Sequence, residues 1–110
     1  MNANEYGVVL GFFVAYDISG FTGVSIEFWA PGLNPLSDPP TWTKTSPDVS
    51  VPNVPFVTPG VEFPANQYAQ YTSIQGDFVL PGTWSARVIY DVTSPAQQLI
   101  SNVGTFLVGP

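Results

Sequence analysis

The 110-residue chain has no cysteine and no histidine, and only two of its residues, Lys44 and Arg87, are basic. The lack of cysteine excludes a disulfide framework and a thiolate zinc site, and it is compatible with folding in a reducing cytoplasm. Without histidine or cysteine the usual general base and the usual thiol nucleophile are missing, which argues against an enzyme. Two cations cannot form a basic patch, so direct binding to nucleic acid or to an anionic membrane is not expected.

Charge is scarce as well, because charged residues make up only 9% of the chain, whereas an average soluble domain has roughly 25%. Aromatic residues make up 15%, which is enough to build a core around several large rings. Few charges combined with many aromatic and proline residues are more typical of a surface that contacts other proteins than of a free surface. The length predicts a single domain spanning 1–110.

The strongest structural signal is strict alternation after the Pro-Gly pair at 81–82. Trp84, Ala86, Val88 and Tyr90 fall on one side of an extended strand, so this side is predicted to face a core. Similar patterns predict strands at 6–15, 24–29, 41–45, 49–51, 56–57, 68–74 and 99–108. The first of these is apolar nearly throughout, and it is predicted to be buried on both faces with a bulge at Gly11. No helix is predicted.

About seven short strands separated by turns in about 100 residues are typical of an antiparallel, immunoglobulin-like β-sandwich. The all-β class is therefore the predicted fold. Trp84, Tyr71, Val88 and Phe106 are the core candidates, and Trp84 and Tyr71 take over packing between the sheets because no disulfide is possible.

A proline-rich stretch at 31–66 interrupts this pattern. Proline cannot donate to a strand ladder, so strands are expected to be short here. Interspersed valine and phenylalanine argue against disorder, which predicts an ordered excursion that packs on its own domain or on a neighbouring subunit. Just before it, Trp29 alternates to the outside of a strand, which indicates either a partner or a covering flap. The interface candidates are Trp29, Trp42, Phe56 and Phe63.

Three further arrangements have both a chemical and a plain structural interpretation. Asp17, Asp77 and Asp91 are a candidate Ca²⁺ site, or else turn and solvent-facing residues. Glu27 and Glu62 are a candidate glycosidase pair, or else solvated carboxylates. A third set is a candidate sugar-binding aromatic platform, or else core with a few rings covered by the long loop. It consists of Trp29, Tyr16, Tyr68 and Tyr90. We favour the structural interpretation in each case and predict no catalytic, cofactor-binding or metal-binding residue.

Two stretches have a recognisable order of motifs. Residues 16–32 read YDISGFTGVSIEFWAPG, which is a D-I-S-G turn followed by an alternating strand and P-G. Residues 71–78 read YTSIQGDF, and PGTW at 81–84 and FLV at 106–108 follow them. In this order they resemble a module of tailed bacteriophages, the N-terminal domain type of the baseplate upper protein.

The resemblance implies an immunoglobulin-like mounting module of a virion, with no catalysis and no cofactor. The implied role is an adaptor in the tail, baseplate or fibre-attachment region, bound to other virion proteins and to copies of itself. The implied location is the virion, after assembly in the cytoplasm of a bacterial host. Two alternatives stay open: a decoration protein bound to the major capsid protein, and a carbohydrate-binding adhesin with Trp29 and Trp42 as ligand platforms.

Overall fold

The computed structural model describes residues 1–14, 17–93 and 96–110. Within these ranges the chain forms strands and no helix, so the predicted all-β class is confirmed. The described residues hold ten strands, three more than the seven or so expected: β1 (Val9–Phe13), β2 (Gly23–Trp29), β3 (Trp42–Thr45), β4 (Val49–Ser50), β5 (Phe56–Thr58), β6 (Val61–Phe63), β7 (Tyr68–Thr72), β8 (Gly82–Thr93), β9 (Ala96–Ile100) and β10 (Gly104–Val108).

Eight of these strands form two antiparallel sheets that pack on each other as a sandwich. The smaller sheet has the order β1-β7-β4, and the larger has the order β10-β8-β2-β3 with β9 also paired to β8. β8 is long enough to bind β10 along its first half and β9 along its second half. The other two strands, β5 and β6, form a separate hairpin. No helix in the described ranges has the length and apolar character to cross a membrane.

The core lies between the two sheets, where the predicted alternation of β8 is confirmed. Trp84, Tyr71 and Val88 are each no more than 2% exposed, and Phe106 is partly buried against the same cluster. Phe28 of β2 is fully buried at the centre, between Phe12 and Tyr71 of the smaller sheet and Trp42 and Phe106 of the larger one. Aromatic rings therefore join the sheets without a disulfide, as the composition predicts.

β1 differs from its prediction in extent, burial and regularity. It begins at Val9, and only Leu10 and Phe12 turn towards the core, while Val9 and Phe13 are 47% and 46% exposed. Its register with β7 runs without interruption across Gly11, so the predicted bulge is wrong. The prediction that this strand is buried on both faces is also wrong, because β1 lies at the edge of its sheet and its outer face is only partly covered.

The predicted C-terminal strand at 99–108 is two strands instead of one. β9 ends at Ile100 and β10 begins at Gly104. Between them, Ser101 binds back to β8: its N–H donates to the Val88 carbonyl at 2.9 Å, and its hydroxyl accepts from the Val88 N–H at 2.8 Å. The side chain thus takes the place of a ladder partner where the strand is interrupted. The predicted break at Ser94 and Pro95 lies outside the described residues.

The excursion at 31–66 is ordered and packs on its own domain. It supplies β3 to the larger sheet and β4 to the smaller one, so it crosses between the layers. Its hairpin was only partly predicted, since β6 was not expected. The missed signal is Pro59-Gly60 between two short apolar runs: Gly60 has φ +79°, as position i+2 of a type II turn requires.

Candidate protein-binding cleft

The β5–β6 hairpin covers part of the outer face of the β1–β7 pair with aromatic rings. Phe56 and Phe63 stack with ring centroids 5.5 Å apart, and Phe63 stacks on Phe13 at 5.3 Å. Tyr68 is 1% exposed, and its hydroxyl donates to the carbonyl of Val54 at 2.9 Å. The interface candidates Phe56 and Phe63 are therefore directed mainly at their own domain, which is the first of the two packing modes expected for the excursion.

Gly11 is required by this hairpin. A Cβ built on Gly11 would lie 3.2 Å from two ring atoms of Phe56, closer than ordinary van der Waals contact. We expect Gly11→Ala to lower the free energy of unfolding by about 1–2 kcal/mol, because the ring has to shift. Gly20→Ala is the matched control, since nothing lies within 4 Å of its Cβ position. Urea unfolding of both variants checks this, and equal midpoints would contradict it.

Trp29 lies under a flap formed by the loop after β2. Its side chain is 1% exposed, and its Nε1–H donates to the carbonyl of Asp38 at 2.9 Å. On the same face, the Arg87 guanidinium lies 5.1 Å from the Trp29 ring and is paired with Glu27 at 2.6 Å. Trp29 does point away from the inner face of β2, as predicted, but its assignment to an interface is wrong because residues of the same chain cover it.

Trp42 is also directed inward. β3 pairs Trp42 with Phe28, so both side chains share the inner face of the larger sheet. Their ring centroids are 4.3 Å apart, and Trp42 lies 6.0 Å from Trp84. Trp42 is partly buried against the core cluster, so its ring is directed mainly at its own domain. Of the two rings expected as ligand platforms in an adhesin, Trp29 is buried and Trp42 packs against Phe28.

A polar network crosses the end of the core next to Trp42. The Tyr71 hydroxyl donates to Asp77 Oδ2 at 2.5 Å, and the N–H of Ile74 donates to the same oxygen at 2.9 Å. Lys44 Nζ lies 3.4 Å from Asp77 Oδ1 and 5.1 Å from the Trp42 ring. Asp77, which is 8% exposed, thus connects β3, β7 and the loop before β8.

This network makes stability sensitive to alkaline pH. Burial raises the pKa of the Tyr71 phenol, and the hydrogen bond to Asp77 raises it further above the ordinary value of 10.0. Since the folded-state pKa is the higher one, the contribution to stability is complete below pH 10 and is lost as the pH rises beyond it.

We therefore expect the free energy of unfolding to fall above pH 10 by at most about 1.4 kcal/mol per pH unit for each such tyrosine. Burial raises the pKa of Tyr68 too, so Tyr71→Phe should make the decline shallower without abolishing it. Urea unfolding across the alkaline range, compared between the two proteins, checks this. An unchanged slope in the variant would contradict it.

The carboxylates considered for chemistry are not brought together. Asp17 accepts hydrogen bonds from the N–H and hydroxyl of Ser19, and Asp91 lies 3.4 Å from the Gln98 side chain. Among the described residues, no three groups of the metal-ligating kinds cluster. Glu27 is paired with Arg87 at 2.6 Å on the larger sheet, and Glu62 is exposed on the hairpin. The Ca²⁺ interpretation is wrong for its three residues, and no hydrogen bond or ion pair among the described residues joins Glu27 to Glu62.

The aromatic platform is not formed either. Trp29, Tyr68 and Tyr90 are each no more than 1% exposed, so none presents a ring face for stacking on a sugar. The fourth member, Tyr16, lies outside the described residues. The structural interpretation, in which these rings are core, applies to the three that are described.

A cleft of about 420 Å³ opens between the edge of β1 and the segment that leads into β10. Its apolar floor contains Phe12 and Phe106, whose ring centroids are 6.1 Å apart. Phe13, Phe63 and Val103 stand around it, so one of the four interface candidates lines this opening. Sequence patterning did not identify the cleft, because it depends on how the β9–β10 interruption lies against β1.

The β1 side of the cleft is an unpaired sheet edge within the described part of the chain. The main-chain groups of Val8 and Val14 bond to the β7 side. Because hydrogen bonding alternates along an antiparallel strand, the N–H and C=O groups of Val9, Gly11 and Phe13 point the other way, towards the open edge. Such an edge can accept a further strand.

The charges without an ion-pair partner are all negative. Both basic side chains are engaged, Lys44 with Asp77 and Arg87, which is part of the cleft lining, with Glu27. Six carboxylates remain outside these two ion pairs, and they account for the formal net charge of −6. They are Glu5, Asp17, Asp38, Asp48, Glu62 and Asp91.

Comparisons with known proteins add no relative: no protein-family model, no curated protein and no solved structure matches the chain.

Proposed function

We propose that this protein is a non-enzymatic structural module of a tailed-phage virion that binds other protein subunits in the tail, baseplate or fibre-attachment region. The observation that carries the proposal is the cleft, where an open sheet edge and core aromatic rings are accessible side by side. Phe13 and Val103 in its lining are 46% and 39% exposed, and Val9, at the start of the same edge strand, is 47% exposed. Open strand edges and apolar patches of this kind are typical of sites that bind other chains.

The phage setting is supported by the order of the motifs in the sequence. Tyr71, Asp77 and Trp84 belong to the second of the two resembling stretches, and all three are buried where the sheets meet. The residues that carry the resemblance are thus residues that hold the two sheets together. This supports our proposal that the sandwich is of the immunoglobulin-like type. It does not select a partner.

A decoration protein on the head surface is the alternative within the same setting, and it differs in copy number. Quantitative mass spectrometry of purified particles, with the major capsid protein as reference, tests both. A count that matches one ring of subunits supports the tail region. A count comparable to that of the major capsid protein supports decoration instead. Absence of the chain from purified particles would overturn the proposed function.

A further inference from the structure

We propose that the open edge of β1 binds an extended segment of a partner protein by strand addition, and that this segment has alternating apolar residues with lysine or arginine at its ends. The inference rests on the proposed function, because it specifies the chemistry of the partner that such a module would bind. It follows from three properties: the free main-chain groups of this edge, its apolar cleft and the unpaired negative charge of the domain.

The main chain of β1 sets the form of the ligand. The N–H and C=O groups of Val9, Gly11 and Phe13 point away from β7. They recur at every second residue, which is the spacing at which a neighbouring β-strand forms main-chain hydrogen bonds. A helix cannot satisfy this row of groups, whereas an extended segment can. Strand addition uses these main-chain bonds for affinity and leaves specificity to the side chains.

The cleft sets the apolar part of the ligand. A strand added to β1 continues the pleat, so alternate side chains point to the side of Leu10 and Phe12, which is the cleft side. There they meet Phe106 on the opposite wall. The volume of about 420 Å³ falls in the range of about 300–1,000 Å³ found for pockets that bury small ligands. Apolar side chains of the partner would cover the core rings that the domain leaves accessible.

The negative charges next to β1 along the chain indicate which residues the ligand has at its ends. Glu5 lies four residues before β1, and Glu62 adjoins Phe63, which stacks on Phe13 at the end of β1. Both glutamates are exposed and have no basic partner in the ion pairs of the described residues, so the unpaired charge next to this edge along the chain is negative. Basic groups at the ends of a bound strand are complementary to this arrangement.

The same charges disfavour a second copy of this chain as the occupant. Each copy has a formal net charge of −6, and like charges brought together across an interface oppose binding.

The opposite wall of the cleft is a less suitable edge. Beyond β10, the N–H of Ala3 donates to the carbonyl of Gly109 at 2.7 Å, and the N–H of Gly109 donates to the carbonyl of Met1 at 2.8 Å. The N-terminal segment thus continues the sheet beside the end of β10 and covers part of its edge. β1 is therefore the edge that can accept the longer added strand.

The test uses a synthetic peptide of about nine residues that alternates valine and threonine and has lysine at both ends. It is titrated into the isotope-labelled protein, and amide shifts are followed by NMR. We expect the largest shifts at Val9, Gly11 and Phe13, and binding about tenfold weaker for the same peptide with glutamate ends. Shifts on another face, or none with the lysine-ended peptide, would overturn the inference.

Val9→Pro is the matching protein variant. It removes an N–H that points to the open edge and leaves the bonds to β7 in place, a position where an edge strand tolerates proline. We expect peptide binding to weaken about tenfold or more. Val9→Thr keeps the N–H and should bind as the original chain does, which separates the main-chain effect from the side-chain effect. Equal binding by all three proteins would contradict strand addition.

If Val9→Pro does not fold, Val103→Asn gives an independent test, because it places a neutral polar group at the cleft without altering β1. It should weaken binding of the lysine-ended peptide by loss of apolar contact, and unchanged binding would count against the cleft. Sedimentation of the free protein adds a further outcome. A dimer that Val9→Pro dissociates would overturn the inference in favour of a second copy as occupant.

Particle analysis separates this inference from the proposed function. A Val9→Pro chain that folds and still enters particles at the original level would refute the strand-addition site while leaving the structural role intact. A chain that is absent from particles without any substitution refutes the structural role, whatever the peptide measurements show.

Discussion

Replacing Trp84 with alanine is expected to lower the free energy of unfolding by about 3–5 kcal/mol, the usual cost of deleting a buried tryptophan ring. Trp84 is 2% exposed, with Phe78 at 5.0 Å and Trp42 at 6.0 Å between ring centroids. Its Nε1–H also donates to the carbonyl of Leu80 at 2.9 Å. The substitution removes ring contacts and a hydrogen bond together, and a domain of ordinary stability could unfold.

Urea unfolding followed by circular dichroism measures this effect. Trp84→Phe should recover part of the loss, because it restores ring packing without the hydrogen bond. Leu36→Ala is the control for truncation as such, since Leu36 is 89% exposed and should change stability by less than about 0.5 kcal/mol. An unfolding midpoint for Trp84→Ala equal to that of the original chain would contradict the central place of this ring.

Replacing Asp77 with alanine is expected to cost about 2–4 kcal/mol. The substitution leaves the Tyr71 hydroxyl buried without its acceptor and removes the partner of Lys44, and uncompensated polar groups in a core are costly. Lys44 keeps 21% of its side chain exposed, so the ion pair is expected to supply the smaller part of the loss.

Asp77→Asn separates the two contributions. The amide oxygen can still accept from Tyr71 and from the N–H of Ile74, while the charge opposite Lys44 is gone. We therefore expect Asp77→Asn to lose less than half as much stability as Asp77→Ala. A double-mutant cycle with Lys44→Met measures the ion pair directly. Equal losses for the two Asp77 variants would show that charge, and not hydrogen bonding, dominates this network.

The sequence predicted those features of the fold that depend on local alternation. The inward faces of β2 and β8 follow from every second residue being apolar, and the same pattern puts Trp29 on the opposite face. What covers Trp29 could not be predicted in this way. Its cover is a main-chain carbonyl at Asp38, and the position of that carbonyl depends on the course of a loop in which periodicity is lost.

Gly11 shows the same limit. A glycine within an apolar strand indicates either a bulge or a close approach of another group, and the sequence alone does not distinguish them. The structure shows the close approach, from a Phe56 ring that lies 45 positions further along the chain. The β5–β6 hairpin that delivers this ring has a local signal at Pro59-Gly60, but the place where it docks has none.

The candidate site was the hardest part to predict, because it is a space left between secondary-structure elements that are distant in sequence. The cleft exists where β9 ends, β10 has not begun and β1 has no neighbour on that side within the described residues. No single stretch of sequence encodes such a juxtaposition. Of the aromatic residues selected for an interface, Trp29 is covered inside the domain, Trp42 and Phe56 pack mainly on their own chain, and Phe63 lines the cleft. Composition does not separate these uses, because large rings satisfy core packing and partner binding equally well.

The β5–β6 hairpin has a consequence for the dynamics of the native state. Its two strands pair only with each other among the described residues, so it can lift from the sandwich without breaking the ladders of either sheet. Opening of this kind needs less free energy than global unfolding. Hydrogen exchange should therefore be fast for the hairpin amides and slow along β8, and each opening would briefly uncover the outer side of β1 to proteases and solvent.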